Sequence, residues 1–391
     1  MSGWMEWWSL LQNEWVKFRG RRRHWIALGG VVVLAGMAAM VMGSPSPGFR
    51  SSHIAADRLE IRSMVGELRT ARGSARTWDY AQLLVARYDL AALTHKPLPP
   101  LEPIVRATGA LARAENRGNR ANFTAALDEW QQSRYALAHN LPIAPSWVPP
   151  TGLIDVNQVF AGNGVALFAV LAVLLTSDVL GMESGTQTWN RVWLDPPPRW
   201  RVLVAKAALA TAVAAGTMCV AAVVLYAAAA LRNGAGPDWV TVETHRRAVS
   251  AYSAYLHQHY TYYTATKISD AAGISLVASD VCAVLGSLPA LAAVVGVAAC
   301  LGYFISQPSV ATLLAAGFAV TPILMGTGNA PPPVWAPGTY LDMGRVAAGG
   351  SSIDGSASVL GASVELGLLV SVVWLALAWG SVAWHQRQAE A

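Results

Sequence analysis

Uninterrupted apolar runs alternate with polar stretches along the whole chain. Six such runs, at residues 25–43, 159–181, 203–231, 274–304, 309–326 and 359–384, are built mainly from Ala, Val, Leu, Ile and Gly. About 20 helical residues cross the hydrocarbon core of a bilayer, so the runs predict six membrane-spanning helices. The run at 309–326 is the shortest and carries Pro322 near its end, a pattern that also suits a partly re-entrant segment. Pro289, in the middle of the fourth run, predicts a kink there.

The polar stretches carry helical periodicity of their own. In residues 1–24, Trp4, Trp7, Trp8, Leu11, Trp15 and Phe18 recur at spacings of three and four, which gathers them on one helix face. Lys17, Arg19, Arg21, Arg22 and Arg23 lie away from that face. This predicts an amphipathic helix along the inner membrane surface, aromatic rings at headgroup depth and basic end beside anionic lipid. The same basic cluster places the N-terminus in the cytoplasm. No Ala-x-Ala site ends the first run and its leader is long, so an uncleaved anchor is expected rather than a signal peptide.

Residues 44–158 contain three apolar stripes: Ile54, Ile61, Val65 and Leu68; then Tyr80, Leu84, Tyr88 and Ala91; then Phe123, Leu127, Trp130 and Leu137. Turn chemistry separates them at 73–74 and 96–100, and the proline-rich stretch at 141–152 returns the chain to the membrane. The stripes, with a shorter helix near 104–115, predict a small helical extracytoplasmic domain. Asn122 heads a glycosylation sequon and is equally placed to cap a helix. Residues 232–273 form an outer loop in which His257, His259, Tyr260, Tyr262 and Tyr263 cluster. Histidines two apart do not share a helix face, so an interfacial helix with tyrosines at headgroup level is expected there and a metal site is not. Residues 327–358 make a further outer loop, and 385–391 a cytoplasmic tail.

Composition agrees with this pattern: 54% of the 391 residues are hydrophobic and only 13% charged. The net charge of +5 comes from basic residues beside the apolar runs, which membrane orientation explains and nucleic-acid binding does not. Cys219, Cys282 and Cys300 all fall within apolar runs and read as small buried side chains. The fold class expected is an all-α integral membrane protein: six transmembrane helices, with a helical extracytoplasmic domain inserted between the first and second spans.

The polar passage at 182–202, between the second and third runs, has a pattern of its own. Glu183 is followed by Gly185-Thr186, then Pro196, Pro197 and Pro198, then Arg199, with Lys206 entering the next run. A helix through this passage brings Trp189 and Trp193 one turn apart on one face until the prolines stop it. The pattern resembles the cytoplasmic coupling loop of type-2 permeases of ATP-binding-cassette exporters. Glu14 and Lys17 match the acid-x-x-Lys element with which that family opens. The chain departs from the family in Trp193-Leu194-Asp195 and in its triple proline, where a Leu-Leu pair and one proline are usual. The resemblance implies that Glu183, Gly185 and Thr186 shape the turn into a short helix seated on a cytoplasmic ATPase subunit, and that Arg199 and Lys206 anchor the third span. It further implies a dimer with a second permease chain, identical or different, in a plasma membrane, bacterial by expectation, with both termini cytoplasmic.

The chain has no Gly-x-x-x-x-Gly-Lys-Ser/Thr loop, no His-Glu-x-x-His and no nucleophile elbow. It is therefore not expected to be an enzyme or to hold a cofactor or metal. ATP and Mg are expected on the partner subunit. Asp280 in the fourth run and Glu365 in the sixth are ionisable groups at or near membrane depth, each within about two turns of an outer end. They support an alternative, an ion-coupled carrier that works without ATP. A membrane scaffold or sensor that uses its outer helical domain is the third reading.

Overall fold

The computed structural model describes residues 2–20, 22–41, 49–94, 96–117, 120–143, 151–161, 164–176, 199–236, 240–244, 246–253, 258–265, 271–305, 307–327, 333–347 and 362–388. Helices dominate these residues. An N-terminal helix α1 (Ser2–Arg19) turns into α2 (Arg22–Val41), and four polar helices follow: α3 (Phe49–Thr70), α4 (Ser74–Leu93), α5 (Leu101–Arg117) and α6 (Arg120–His139). Then come α7 (Gly152–Phe160), α8 (Val165–Thr176), α9 (Arg199–Asn233), α10 (Leu276–Phe304), α11 (Pro308–Thr327), a short 3-10 turn (Pro337–Leu341), α12 (Met343–Ala347) and α13 (Val364–Gln388).

Four of these helices hold a stretch long and apolar enough to cross a membrane: His24–Val41, Arg201–Asn233, Leu276–Phe304 and Val364–Gln388. This makes the chain a multi-pass membrane protein. The helix at Ser309–Met325 is apolar but shorter. The second run, expected as one span over 159–181, is broken: α7 and α8 are inclined at 70°. Residues 162 and 163, between the two helices, lie outside the described residues. At Gly164 the chain folds against the preceding turn so closely that a Cβ would lie 2.8 Å from Val159 Cγ1. The described part of α8, Val165–Thr176, covers about 18 Å, and residues 177–181 of the expected span lie outside the described residues. Pro289 and Pro322, by contrast, sit inside helices that continue past them.

Contacts at the helix ends fix the directions. Glu14 of α1 meets Lys206 near the start of α9, and Arg232 at the end of α9 donates to the Met40 carbonyl at the end of α2, at 2.9 Å. Thus α2 and α9 run the same way. The chain entering α7 bonds back to the end of α9 through Gly152 N–H to Gly234 C=O, at 3.1 Å. Ile154 packs on Leu276 at the start of α10, while Leu203, Ala299 and Val382 cluster at the ends of α10 and α13. Hence α10 and α13 both run antiparallel to α9, and α1 and the end of α13 share one end of the bundle.

The interior is lined with small residues. Ala210, Ala214, Met218, Ala221, Leu225 and Ala229 follow each other at three- and four-residue spacing down α9, all buried in one cluster. In lipid there is little hydrophobic drive between helices, so close approach of small side chains supplies the contact. Val204, Val223 and Leu231 on the same helix are exposed, as a lipid-facing surface requires. Of the three cysteines, Cys219 and Cys300 are partly buried, whereas Cys282 is exposed on α10 rather than packed inside.

The loop at 232–273 is not the expected amphipathic helix. It contains four strands: β1 (Val240–Thr244), β2 (Arg246–Ser253), β3 (Gln258–Ala265) and β4 (Ala271–Ser275). β1 pairs antiparallel with β4 and β2 with β3. His259, Tyr260, Tyr262 and Tyr263 lie in β3, and His257 falls outside the described residues. Thr, Tyr and Val are the residues that fit a pleated surface best, and this local preference overrides the weak helical spacing. The polar helices α3 to α6 pack in sequence, and α6 also packs on β1 and β4. The chain is thus a predominantly helical membrane protein with two strand pairs set between α9 and α10.

The short helix α12 is wedged by glycine. A Cβ on Gly344 would come 2.7 Å from Ala161 Cβ and 2.8 Å from Ala283 Cβ, so α12 touches both the α7–α8 break and α10. Gly344→Ala should overpack this junction at a cost of about 1–3 kcal/mol, seen as a lower thermal midpoint of the purified protein in detergent. An unchanged midpoint contradicts the close packing.

Candidate functional site

The site grows from the corner between α1 and α2. Trp25 Nε1 donates to the Arg19 carbonyl at 3.0 Å, and His24 Nδ1 lies 2.9 Å from the Phe18 carbonyl with its ring stacked on Phe18 at 3.8 Å. This corner lays α1 across the start of α9. Its exposed side carries Trp8, Trp15 and Val16, an aromatic and apolar face suited to the headgroup region. The side turned inward carries an acid, Glu14, only 8% exposed.

That acid bridges two lysines. Glu14 Oε1 accepts from Lys17 Nζ at 2.7 Å, and Oε2 accepts from Lys206 Nζ at 2.8 Å. Lys206 is 1% exposed, among the most completely buried large side chains of the chain. A buried ammonium is costly unless a carboxylate is held against it with good geometry. Glu14 meets that requirement from 192 positions earlier. Burial alone raises the Glu14 pKa, but the charge of Lys206 and the hydrogen bonds from Lys17 and Lys206 outweigh it and hold the group below its ordinary value.

Glu14, Lys17 and Lys206, which the sequence pattern singles out in two separate regions, thus form one cluster. Arg199 opens α9 directly after the proline triplet, a position where proline favours helix initiation. Glu183, Gly185, Thr186, Trp189 and Trp193 lie outside the described residues.

A second polar cluster sits toward the opposite end of the bundle, where α7 and the start of α10 pack beside the end of α9. Asn157 Nδ2 donates to Asp280 Oδ1 at 2.9 Å and to Ser279 Oγ at 3.2 Å. Asp280 is 6% exposed, so it does not reach water as its nearness to the helix end suggests. Asp155 on the same helix as Asn157 is fully buried. Asp342 and Arg345 form a buried ion pair at 3.1 Å on the segment that includes α12. Asp155, Asn157, Asp342 and Arg345 escape sequence reasoning. The three-residue spacing of Asp342 and Arg345 in an otherwise apolar stretch is the one signal that points to a pair. Glu365 lies elsewhere, exposed in the first turn of α13, where the helix dipole favours a carboxylate.

The polar helices hold a largely buried acid of their own. Glu129 accepts from Gln82 Nε2 at 3.1 and 3.3 Å, and burial, reinforced by the charge of Asp89, pushes it up to about 7. A raised folded-state value means that stability is full below the ordinary carboxylate range and is lost as pH rises toward neutrality. The wild-type chain should therefore melt at lower temperature at about pH 8 than at about pH 5, with the difference reduced in Glu129→Gln.

No protein-family model, curated protein or solved structure matches the chain.

The depressed pKa of Glu14 has the opposite sign. The cluster's stabilisation is full above the ordinary value of 4.5 and is lost as pH falls through the lower folded value. Thermal midpoints measured from about pH 6 to about pH 3 should fall more steeply for the wild type than for Glu14→Gln. Parallel curves refute an ionised, buried Glu14.

Proposed function

We propose that the chain is the permease subunit of an ATP-driven exporter of the ATP-binding-cassette class, with ATP bound and hydrolysed by a separate cytoplasmic subunit and the pathway formed between two permease chains. One observation carries this reading: the Glu14-x-x-Lys17 element and Lys206, matched to the family pattern in two separate regions, meet in one ion cluster in which Glu14 and Lys206 are buried and Lys17 stays exposed. The cluster ties α1 to the first turns of α9, the helix that emerges from the passage at 182–202. A force applied to that passage by an ATPase would move α9 and α1 together. The ends of α10 and α13 pack beside the start of α9 through Leu203, Ala299 and Val382, so they would feel the same displacement. Nucleotide and transported molecule would then bias two arrangements of the bundle differently, as coupling between sites requires.

The buried pair of Asn157 and Asp280 favours the second reading, an ion-coupled carrier, because an acid held in the apolar interior is suited to taking up a proton or cation. The two readings separate cleanly by experiment. Tagged full-length protein is purified from its own host membranes in mild detergent and assayed for co-purifying ATPase activity. The exporter reading expects activity with the wild type and with Asp280→Asn, and its loss in Trp189→Ala/Trp193→Ala with membrane insertion unchanged. A chain that purifies alone, or activity indifferent to the tryptophans, overturns it.

A further inference from the structure

The hairpin of α3 and α4 borders an open cleft of about 810 Å³, within the size range of small-molecule sites. Its wall carries four arginines: Arg69 near the end of α3, Arg72 in the turn, and Arg76 and Arg87 on α4. Its floor is apolar, with Val65 and Leu68 half-buried and Leu83 buried. The sequence shows Val65 and Leu68 as part of a core stripe, yet here they face an open cleft.

Four guanidiniums around one concavity repel each other, and the usual remedy is a carboxylate one helical turn away. Elsewhere in the same group of helices that remedy is used: Arg106 pairs with Glu102 at 2.7 Å. Among the described residues none of the four cleft arginines is ion-paired. The acids closest in sequence, Glu67, Asp79 and the buried Asp89, do not line the cleft, and Glu67 instead accepts from Ser63 at 2.8 Å. Guanidinium groups present planar forks that match the oxygens of phosphate and carboxylate, and the charge-assisted bonds they form are stronger than neutral ones. An anion seated among them relieves their mutual repulsion, and an attached alkyl group covers the apolar floor.

We infer that the cleft between α3 and α4 is a binding site for an anionic amphiphile, a phosphate-type headgroup held by Arg69, Arg72, Arg76 and Arg87 with a short apolar chain over Val65, Leu68 and Leu83. This site is independent of the ATPase reading and stands whether or not that reading does. Its ligand comes either from a membrane lipid or from a free amphiphile in the surrounding water, and both present the same chemistry.

The test uses full-length protein in a neutral detergent, titrated by thermophoresis with hexyl phosphate, inorganic phosphate and hexanol. Hexyl phosphate should bind at least about tenfold more tightly than inorganic phosphate, and hexanol should not bind measurably. Arg69→Gln/Arg76→Gln/Arg87→Gln should weaken hexyl phosphate by about tenfold or more and flatten its salt dependence, while the helical circular-dichroism signal is retained. The single variant Arg76→Gln, with less risk to folding, should show a smaller loss in the same direction. Equal binding by wild type and both variants overturns the site, as does equal binding of hexyl phosphate and hexanol. Equal binding of hexyl phosphate and inorganic phosphate overturns the apolar half of the inference. Competition by dihexanoyl phosphatidylglycerol assigns the ligand to lipid headgroups. Failure to compete, with hexyl phosphate bound, assigns it to free amphiphiles.

Discussion

A lysine ammonium with 1% exposure, set two turns into an apolar helix, is the constraint on which the arrangement of the bundle turns. Left alone in that place, the ammonium of Lys206 would carry an uncompensated desolvation cost or pull its helix toward water. The chain instead brings in Glu14, and because Glu14 belongs to α1, the N-terminal helix must lie across the start of α9. The stacked Phe18 and His24 and the Trp25 bond to the Arg19 carbonyl then set the angle at which α2 enters the bundle. One buried ion pair thus positions three helices. Its net contribution to stability is modest, since desolvation offsets most of the attraction, and its value lies in specifying the register of α1 on α9.

The other end of the bundle is organised by the same logic with different groups. The break between α7 and α8 turns the chain so that Asn157 reaches Asp280, and Gly344 lets α12 close over the break. The buried charged groups of the bundle are therefore concentrated at both ends of a middle packed with alanine, valine and leucine, where the buried polar groups are hydroxyls such as Thr217 and Ser287. Small side chains slide past one another with little steric resistance, whereas charged pairs exist either made or broken. A bundle of this kind is suited to a few discrete arrangements rather than to continuous deformation.

The apolar helices are legible from composition and run length alone, because the bilayer demands about 20 apolar residues per crossing and little else in a sequence imitates that. The polar helices α3 to α6 are legible from their stripes, and Glu14, Lys17 and Lys206 from a family-like pattern. Their meeting is not, since pairing across 192 positions leaves no mark on local spacing. The break between Ala161 and Gly164 falls at the start of the apolar run, and the helix before it, with Asp155 and Asn157, does not read as part of a span. The strands at 240–275 escape a reading of spacing because their Tyr and Thr residues suit both an interfacial helix and a pleated surface, and only pairing partners distinguish the two. The cleft arginines, scattered over positions 69 to 87, come together only through the antiparallel fold of α3 on α4.

On the proposed exporter reading, the Glu14–Lys206 pair couples α1 to α9 and would lie on the path between a cytoplasmic ATPase and the membrane bundle. A charge-swap cycle tests it most directly: Glu14→Lys, Lys206→Glu and the double exchange are compared for thermal midpoint and for co-purifying ATPase activity. The account predicts that each single change lowers both, and that the double exchange restores most of each, giving a coupling energy of about 1–3 kcal/mol in the stability cycle. A double exchange no better than the worse single variant, or single variants indistinguishable from wild type, contradicts it.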